Sequence, residues 1–436
     1  MEKQKGKYMS RSIVDRFGDF AEKKIQNNPR GARRLLASIF NLYGSYMRRK
    51  KSGQLSARGL QMQHCNRVMA GSLSDAGKSV VVSIFTPCEV MHAMGLQLAF
   101  PEGLSCYMTA SHCEKIFFNQ AEKSGVPESF CSFHKQFIGM VEKGMLPKPC
   151  CIVNTTMICD ANQLSFRYLA DYFHVPHFVI DVPNEWSEEN QDYVRQQLLE
   201  MTEFLEKASG VKLQQKKLEE SMNLAQKSLD NYREIMRLKA DRSERGRLTD
   251  LMMDAFEYHV LLGTKETAEI GNQMIRDLKT LPVNHGKAEG VRIAWVHVLP
   301  YWQKSMTEIF NHSSRVEVIS GDMSYDNLDV DLNGKDPYTA MAEMLLKDSF
   351  NGPAERRIDH VLNYAKSMNA DGIIYFCHWG CKQTLGASAL AAKTFEKAGF
   401  PSLVLDGDGC DPRNIQDGQM VTRVQAFIEQ LEARKK

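Results

Sequence analysis

Seven short apolar runs constrain this chain more than any other feature of its sequence. They are Ser79–Phe85 (SVVVSIF), Cys150–Met157, His177–Val182 (HFVIDV), Val291–Leu299 (VRIAWVHVL), Arg315–Ile319, Gly372–Phe376 (GIIYF) and Ser402–Leu405. The first is apolar on both faces, as strands buried inside a parallel sheet are. Pro87 stops it, and Val90–Leu98 then reads as a short helix; Leu164–Phe173 reads as another. Strands alternating with helices of this length specify a doubly wound α/β sheet.

The runs fall into two groups, which predicts two α/β domains, over residues 76–185 and 286–436. A chain of 436 residues is also too long for one core. Residues 1–75 are charged and helical in tone and form an N-terminal helical segment. Residues 186–285 read as a helical connector, with apolar residues such as Leu198, Met201, Phe204 and Leu205 at helical spacing. No heptad persists there, which argues against a free coiled coil. The crevice between two α/β halves is a natural place for a cofactor.

Several function classes are disfavoured. The net charge of +2 is far from the basic footprint of a nucleic-acid binder. The run Arg48-Arg-Lys-Lys51 is a local exception that reads as a solvated helix end. The N-terminus MEKQKGKYMSRS lacks the apolar core of a signal peptide. The most apolar stretch, Ser79–Phe100, carries Pro87, Glu89 and His92 and is not a membrane span. A cytoplasmic protein is expected, and its eleven cysteines are then reduced thiols.

Three of those cysteines fall on the lips of the α/β framework. Cys131 lies in ESFCSFHKQFIGM, Cys159 in IVNTTMICDAN and Cys381 in IIYFCHWGCKQTLG. The last two follow strands, and the carboxyl ends of parallel strands are where such folds build sites. Thiolates from separate loops converging on one crevice suit an iron–sulfur cluster, and three of them leave one iron open. Spacing alone does not establish a metal site, because no paired CxxC motif is present. Cys377 and Cys381 are spaced for one helical face, but no second close pair completes a zinc site. Cys150 and Cys151 read as structural. Cys65, Cys106 and Cys113 read as bystanders, whereas Cys88 and Cys410 sit on strand-end loops at the same rim. Glu89 is either a carboxylate complementing a helix dipole or a base facing the crevice. His134, His378 and Trp379 border the candidate ligands. In LVLDGDGCDPRN, Asp406, Asp408 and Asp411 with Arg413 and Arg423 predict an internally paired loop rather than a hard-cation site.

Taken together, these segments resemble the 2-hydroxyacyl-CoA dehydratase family, component D, to which benzoyl-CoA reductase subunits and double-cubane cluster proteins are related. The resemblance runs from about Val80 to the C-terminus. It rests on Pro87, Glu89, Ala93 and Gly95, on CSFHKQFIG, TTMICD, VPHFVIDVP and HWGCK, and on LDGDGCDPRN…GQMVTRVQAFIE. It implies two flavodoxin-like domains with added helices and a [4Fe-4S] cluster between them, held by Cys131, Cys159 and Cys381. Residues Ser83-Ile-Phe stand where double-cubane members carry a cysteine, and no cysteine lies between Cys159 and Cys377, so a double cubane is not expected. The chemistry implied is radical dehydration of a 2-hydroxyacyl-CoA, in which an added electron gives a ketyl that expels the neighbouring hydroxyl; Glu89, by its strand-end position, is the candidate catalytic carboxylate. The electron would come from a separate ATP-hydrolysing iron–sulfur activator, consistent with the lack of a GxxxxGK[ST] loop here. A homologous subunit is the expected partner, in a heterodimer, and neither nucleic acid nor membrane is. Two rivals remain open: an ATP-dependent reductase of the benzoyl-CoA type, and a non-catalytic cluster protein that relays electrons or assists assembly.

Overall fold

The structure is a computed structural model that describes residues 12–49, 55–74, 78–284 and 289–435. The expectations for residues 1–11 and for Lys50 and Lys51 lie outside the described residues. The chain forms an α/β protein with eight strands: β1 (Ser79–Val82), β2 (Gln97–Ala99), β3 (Cys151–Thr155), β4 (His177–Ile180), β5 (Val291–Val296), β6 (Val316–Gly321), β7 (Gly372–His378) and β8 (Ser402–Gly407). They make two four-stranded sheets, ordered β2-β1-β3-β4 and β6-β5-β7-β8. Every pairing is parallel. Seventeen α-helices accompany them among the described residues.

Both sheets follow the order 2-1-3-4, the first four strands of the flavodoxin-like arrangement. Apolar content explains the order. The inner strands β1, β3, β5 and β7 are buried at every position, so each needs helices on both faces. The outer strands β4 and β8 keep partly exposed positions. In each sheet the strand order reverses between the first and third strands, and that is where doubly wound folds open a crevice.

One element departs from the sequence expectation. Val90–Leu98 is not a single helix. A helix covers Glu89–Ala93 and ends before Gly95, whose φ of +67° is the left-handed conformation that closes helices. The chain then forms β2, an edge strand of three residues, too short to show a period of two. The strands expected at Ser79–Phe85 and Val291–Leu299 also stop earlier, at Val82 and Val296. Their last residues are released from the sheets to line the site.

Among the helices before β1 is Ser56–Ser72, and among those between β4 and β5 are Gln215–Ala240, Leu248–Tyr258 and Lys265–Thr280. Arg58, 3 % exposed, ties these groups together. Its guanidinium lies 2.5 Å from Glu244 and 2.5 Å from Asp254, and Lys239 reaches Glu244 at 3.0 Å. Burial alone would lift the Glu244 carboxyl, but Arg58 and Lys239 hold it well below the ordinary carboxylate range. Nearby, Arg48 donates to Gln63.

Removing one partner of a buried ion network strands the others as unpaired charges. Arg58→Ala should therefore lower unfolding stability by about 3 kcal/mol or more in chemical denaturation at neutral pH. A loss within the range of exposed ion pairs, below about 1 kcal/mol, would show that the network is not what joins these helices.

Candidate functional site

Each of the three singled-out cysteines occupies the N-cap position of a helix. Cys131 precedes Ser132–Glu142, Cys159 precedes Asp160–Phe173 and Cys381 precedes Lys382–Lys397. Two of these helices start where β3 and β7, the third strands of their sheets in chain order, release the chain. None of the three side chains makes a capping hydrogen bond, so each sulfur is left facing outward from the first turn. A helix N-terminus presents unpaired N–H groups and a positive dipole end, which favour a thiolate.

All three sulfurs line one cavity of about 820 Å³ between the carboxyl edges of the two sheets. The end of β1 contributes Ile84 and Phe85, and the end of β5 contributes His297 and Val298. Burial raises the Cys131 thiol well above its ordinary range, and the nearby Cys159 and Cys381 raise it further. The Cys159 thiol is pushed up to about 12, by burial first, with Cys381 adding to the shift. Burial and neighbouring sulfurs thus disfavour ionisation of Cys131 and Cys159, and a bound cation would favour their thiolates. Among the described residues no group of three His, Cys, Asp or Glu converges closely enough for one metal ion. A cluster makes a different demand, since each thiolate binds a different iron and the sulfurs stand around it.

Two features bring the loops together. Gly380, with φ of +78°, lies directly against the first half: a Cβ there would sit 2.7 Å from the Cys131 amide nitrogen and 2.8 Å from the Ser129 oxygen. Ile158, a β-branched residue, adopts a φ of +66° immediately before Cys159. Such a conformation is costly for isoleucine and is held only where the surroundings impose it.

Histidines flank two of the sulfurs. His378 accepts from the Gly409 amide at Nδ1, so its Nε2 carries the proton and faces Cys131 Sγ at 3.4 Å as a donor. His134 is the opposite tautomer. Ser165 Oγ donates to the Ala161 carbonyl and accepts from His134 Nδ1 at 2.7 Å, leaving Nε2 as the acceptor 3.6 Å from Cys159 Sγ. Burial keeps both rings neutral, with His134 lowered to about 3. The C-terminal loop braces this side. Asp408 accepts from Ser132 Oγ and from the Cys410 and Asp411 amides. Asp411 pairs with Arg413 at 2.6 Å and with the fully buried Lys135 at 3.2 Å. Asp406 faces Arg423 at 3.5 Å. The three aspartates are thus engaged internally.

The carboxyls divide differently from the sequence expectation. Glu89 opens its short helix and is 1 % exposed, but it is not among the residues that line the cavity. Its Cγ instead faces Gly263, in the turn before Lys265–Thr280. Burial raises its carboxyl to about 7, and one oxygen has no partner. Glu102, in the first turn of the helix Pro101–Ala110, does line the cavity. Its Oε1 accepts from the Ile84 amide at 3.3 Å, while Oε2 is buried without a partner. Burial lifts this carboxyl to about 8. Sequence reasoning misses Glu102 because a carboxylate in a first helical turn reads as a dipole complement, and because β2, which aims that helix, leaves no pattern to read. Cys106, a bystander by sequence, also lies on the wall. Cys88, Cys377 and Cys410 do not; their thiols are buried against the carbonyls of Thr86 and Thr384 and near Thr109.

Comparison with known proteins identifies the family of the chain. The family model for 2-hydroxyglutaryl-CoA dehydratase, D-component, matches residues 83–431. The (R)-phenyllactyl-CoA dehydratase alpha subunit of Clostridium sporogenes is 24% identical over 374 residues, covering 80% of this chain and 88% of the relative. The (R)-2-hydroxyisocaproyl-CoA dehydratase alpha subunit of Clostridioides difficile is 24% identical over 379 residues, covering 81% and 90%. A benzoyl-CoA reductase subunit of Thauera aromatica is 23% identical over 356 residues, covering 72% and 79%.

Two outcomes follow for the bare protein. Gly380→Ala should cost at least about 1 kcal/mol in chemical denaturation, from left-handed strain and the clash with Cys131. Gly386→Ala, in a helix and with nothing within 4 Å of the new methyl, should be neutral or stabilising. Equal effects would remove the close approach from the account. The second outcome concerns pH. Folded Glu102 keeps its proton to about pH 8, whereas the unfolded carboxyl releases it near 4.5. Between these values the native state binds more protons, so stability falls as pH rises, by up to about 1.4 kcal/mol per unit. Glu102→Gln should flatten that slope between pH 5 and 8; parallel curves for wild type and variant would show the carboxyl is ordinary.

Proposed function

The chain belongs to the 2-hydroxyglutaryl-CoA dehydratase D-component family, and on that premise we propose that it is an iron–sulfur subunit of a 2-hydroxyacyl-CoA dehydratase, a hydro-lyase. Cys131, Cys159 and Cys381 are the residues that would hold a [4Fe-4S] cluster. The observation that carries this reading is the meeting of three N-cap cysteines, from three separate loops, on one cavity. The donor set fits: three soft sulfurs, free of other bonds, each backed by a helix N-terminus, with His378 donating to Cys131. A cluster bound there supplies a one-electron carrier and a Lewis-acidic iron that no protein thiolate occupies.

The chain's own residues then have defined work. The apolar walls exclude water from the acyl group, which strengthens every polar contact inside. Glu102 lines the cavity, and burial keeps its carboxyl protonated to about pH 8, so it is the group we assign to protonate the departing hydroxyl. Glu89 lies behind this surface as a second neutral carboxyl, and its part in the reaction is separable from that of Glu102 by substitution. A homologous subunit would complete the enzyme, since dehydratases in this family carry alpha and beta subunits by name. A separate ATP-dependent activator would supply the electron. The assembly would work in the cytoplasm. No helix among the described residues is long and apolar enough to cross a membrane.

Anaerobically prepared chain should contain about four irons, with broad visible absorption that bleaches in air. Cys131→Ser, Cys159→Ser or Cys381→Ser should each lose iron, while Cys65→Ser retains it. With partner, activator, ATP and reductant, Glu102→Gln should keep its iron yet lose roughly 10²-fold in turnover of a 2-hydroxyacyl-CoA. If Glu89→Gln shows that loss instead, the proton belongs to Glu89. Product analysis separates dehydration from reduction of the benzoyl-CoA type, because dehydration consumes no net electrons. An iron-free chain after reconstitution would overturn the proposal.

A further inference from the structure

The dehydratase reading leaves the acyl group unnamed, and the walls of the cavity bear on it. Resting on that reading, we propose that the acyl group taken by this site ends in an uncharged apolar side chain and is not a dicarboxylic one.

The surface is lopsided in character. Its deep walls are Phe85, Phe100, Met252, Phe256, Val298 and Phe350. All six are no more than 8 % exposed, so they are part of the packed core and cannot swing away to admit water. Apolar residues also form the mouth: Leu164, Trp379 and Leu385 are 65 %, 46 % and 44 % exposed. Leu164 and Leu385 come from the helices that Cys159 and Cys381 cap, and Trp379 from the loop leading to Cys381, so the apolar rim surrounds the proposed cluster ligands.

Fixed cations are lacking among the described residues of this surface. Lys382 is the one lysine or arginine on the described lining, and its side chain is 87 % exposed, 4.0 Å from Asp160 at the rim. Arg357, just outside the lining, is committed to Asp322 at 2.6 Å. Of the lining histidines, His378 and His134 direct their Nε2 atoms at Cys131 and Cys159, and His297 Nδ1 faces Arg357. The buried carboxyl on the described wall is Glu102, which cannot ion-pair with a second carboxylate. A side-chain carboxylate brought inside would lose its hydration and gain no counter-charge, a penalty that outweighs most favourable contacts. A branched aliphatic or aromatic side chain faces the reverse balance, because each buried methylene adds to affinity.

Binding to the iron-loaded full chain tests this without requiring turnover. Calorimetric titration under anaerobic conditions would compare 2-hydroxyisocaproyl-CoA, 2-hydroxyglutaryl-CoA and free CoA. The two thioesters share everything but the end of the acyl chain, so their difference isolates that end. We expect the isocaproyl thioester to bind at least roughly tenfold more tightly than the glutaryl thioester. Equal or tighter binding of the glutaryl thioester would overturn the inference and leave the dehydratase reading intact. If neither thioester binds better than free CoA, the acyl-CoA reading itself falls, and the inference with it. Leu385→Arg places a cation on the mouth at a half-exposed position that tolerates it. Checked for fold and iron content, it should narrow the preference by roughly tenfold; an unchanged ratio would show that the acyl end does not reach this wall.

Discussion

The site depends on one constraint: a buried parallel strand hands the chain to a helix at its carboxyl edge. At that edge the helix presents N–H groups with no partner of their own. β3 and β7 are the third strands in chain order of two sheets with the same order, so they deliver Cys159 and Cys381 to equivalent places at the two switch points. Cys131 joins them from a third helix start, carried on a loop that Gly380 allows to approach within contact. Three positive helix ends thus face one cavity. That arrangement answers the electrostatic problem of collecting thiolates here, where desolvation and neighbouring sulfurs raise the pKa of Cys131 and Cys159.

The surrounding polar groups extend this logic. His378 and His134 are fixed in opposite tautomers by Gly409 and Ser165, and burial keeps both uncharged. Behind them the contacts are ionic. Asp408 gathers the amides of the DGDGCD turn and the hydroxyl of Ser132, while Lys135 and Arg413 hold Asp411. The C-terminal loop is therefore locked to the first turn of the helix that Cys131 caps, and the two sheets are joined at the site itself.

Much of this is legible in the sequence. Runs such as SVVV and GIIYF are apolar on both faces, and they form central parallel strands. The cysteines at strand ends are visible because the strands are. What is not legible has physical reasons. β2 is three residues at an edge, where burial on one side leaves no pattern. Glu102 becomes a site candidate only through packing: its raised pKa comes from burial in the folded core, and no local signal carries that. Glu89, which does sit in a motif, turns toward Gly263 because the short helix it opens packs against Gln215–Ala240. The shape of the cavity is likewise a product of both halves, so its apolar character is spread over Phe85, Met252, Val298 and Phe350 rather than written in one segment.

The central claim is that Cys131, Cys159 and Cys381 surround one iron–sulfur cluster. Anomalous scattering at the iron edge from anaerobically grown crystals tests it most directly. The account predicts a single iron-cluster peak bonded to these three sulfurs, with one iron that no protein thiolate reaches, inside the cavity lined by Glu102. Iron density on other cysteines, such as Cys88 or Cys410, or a single ion in place of a cluster, would contradict it.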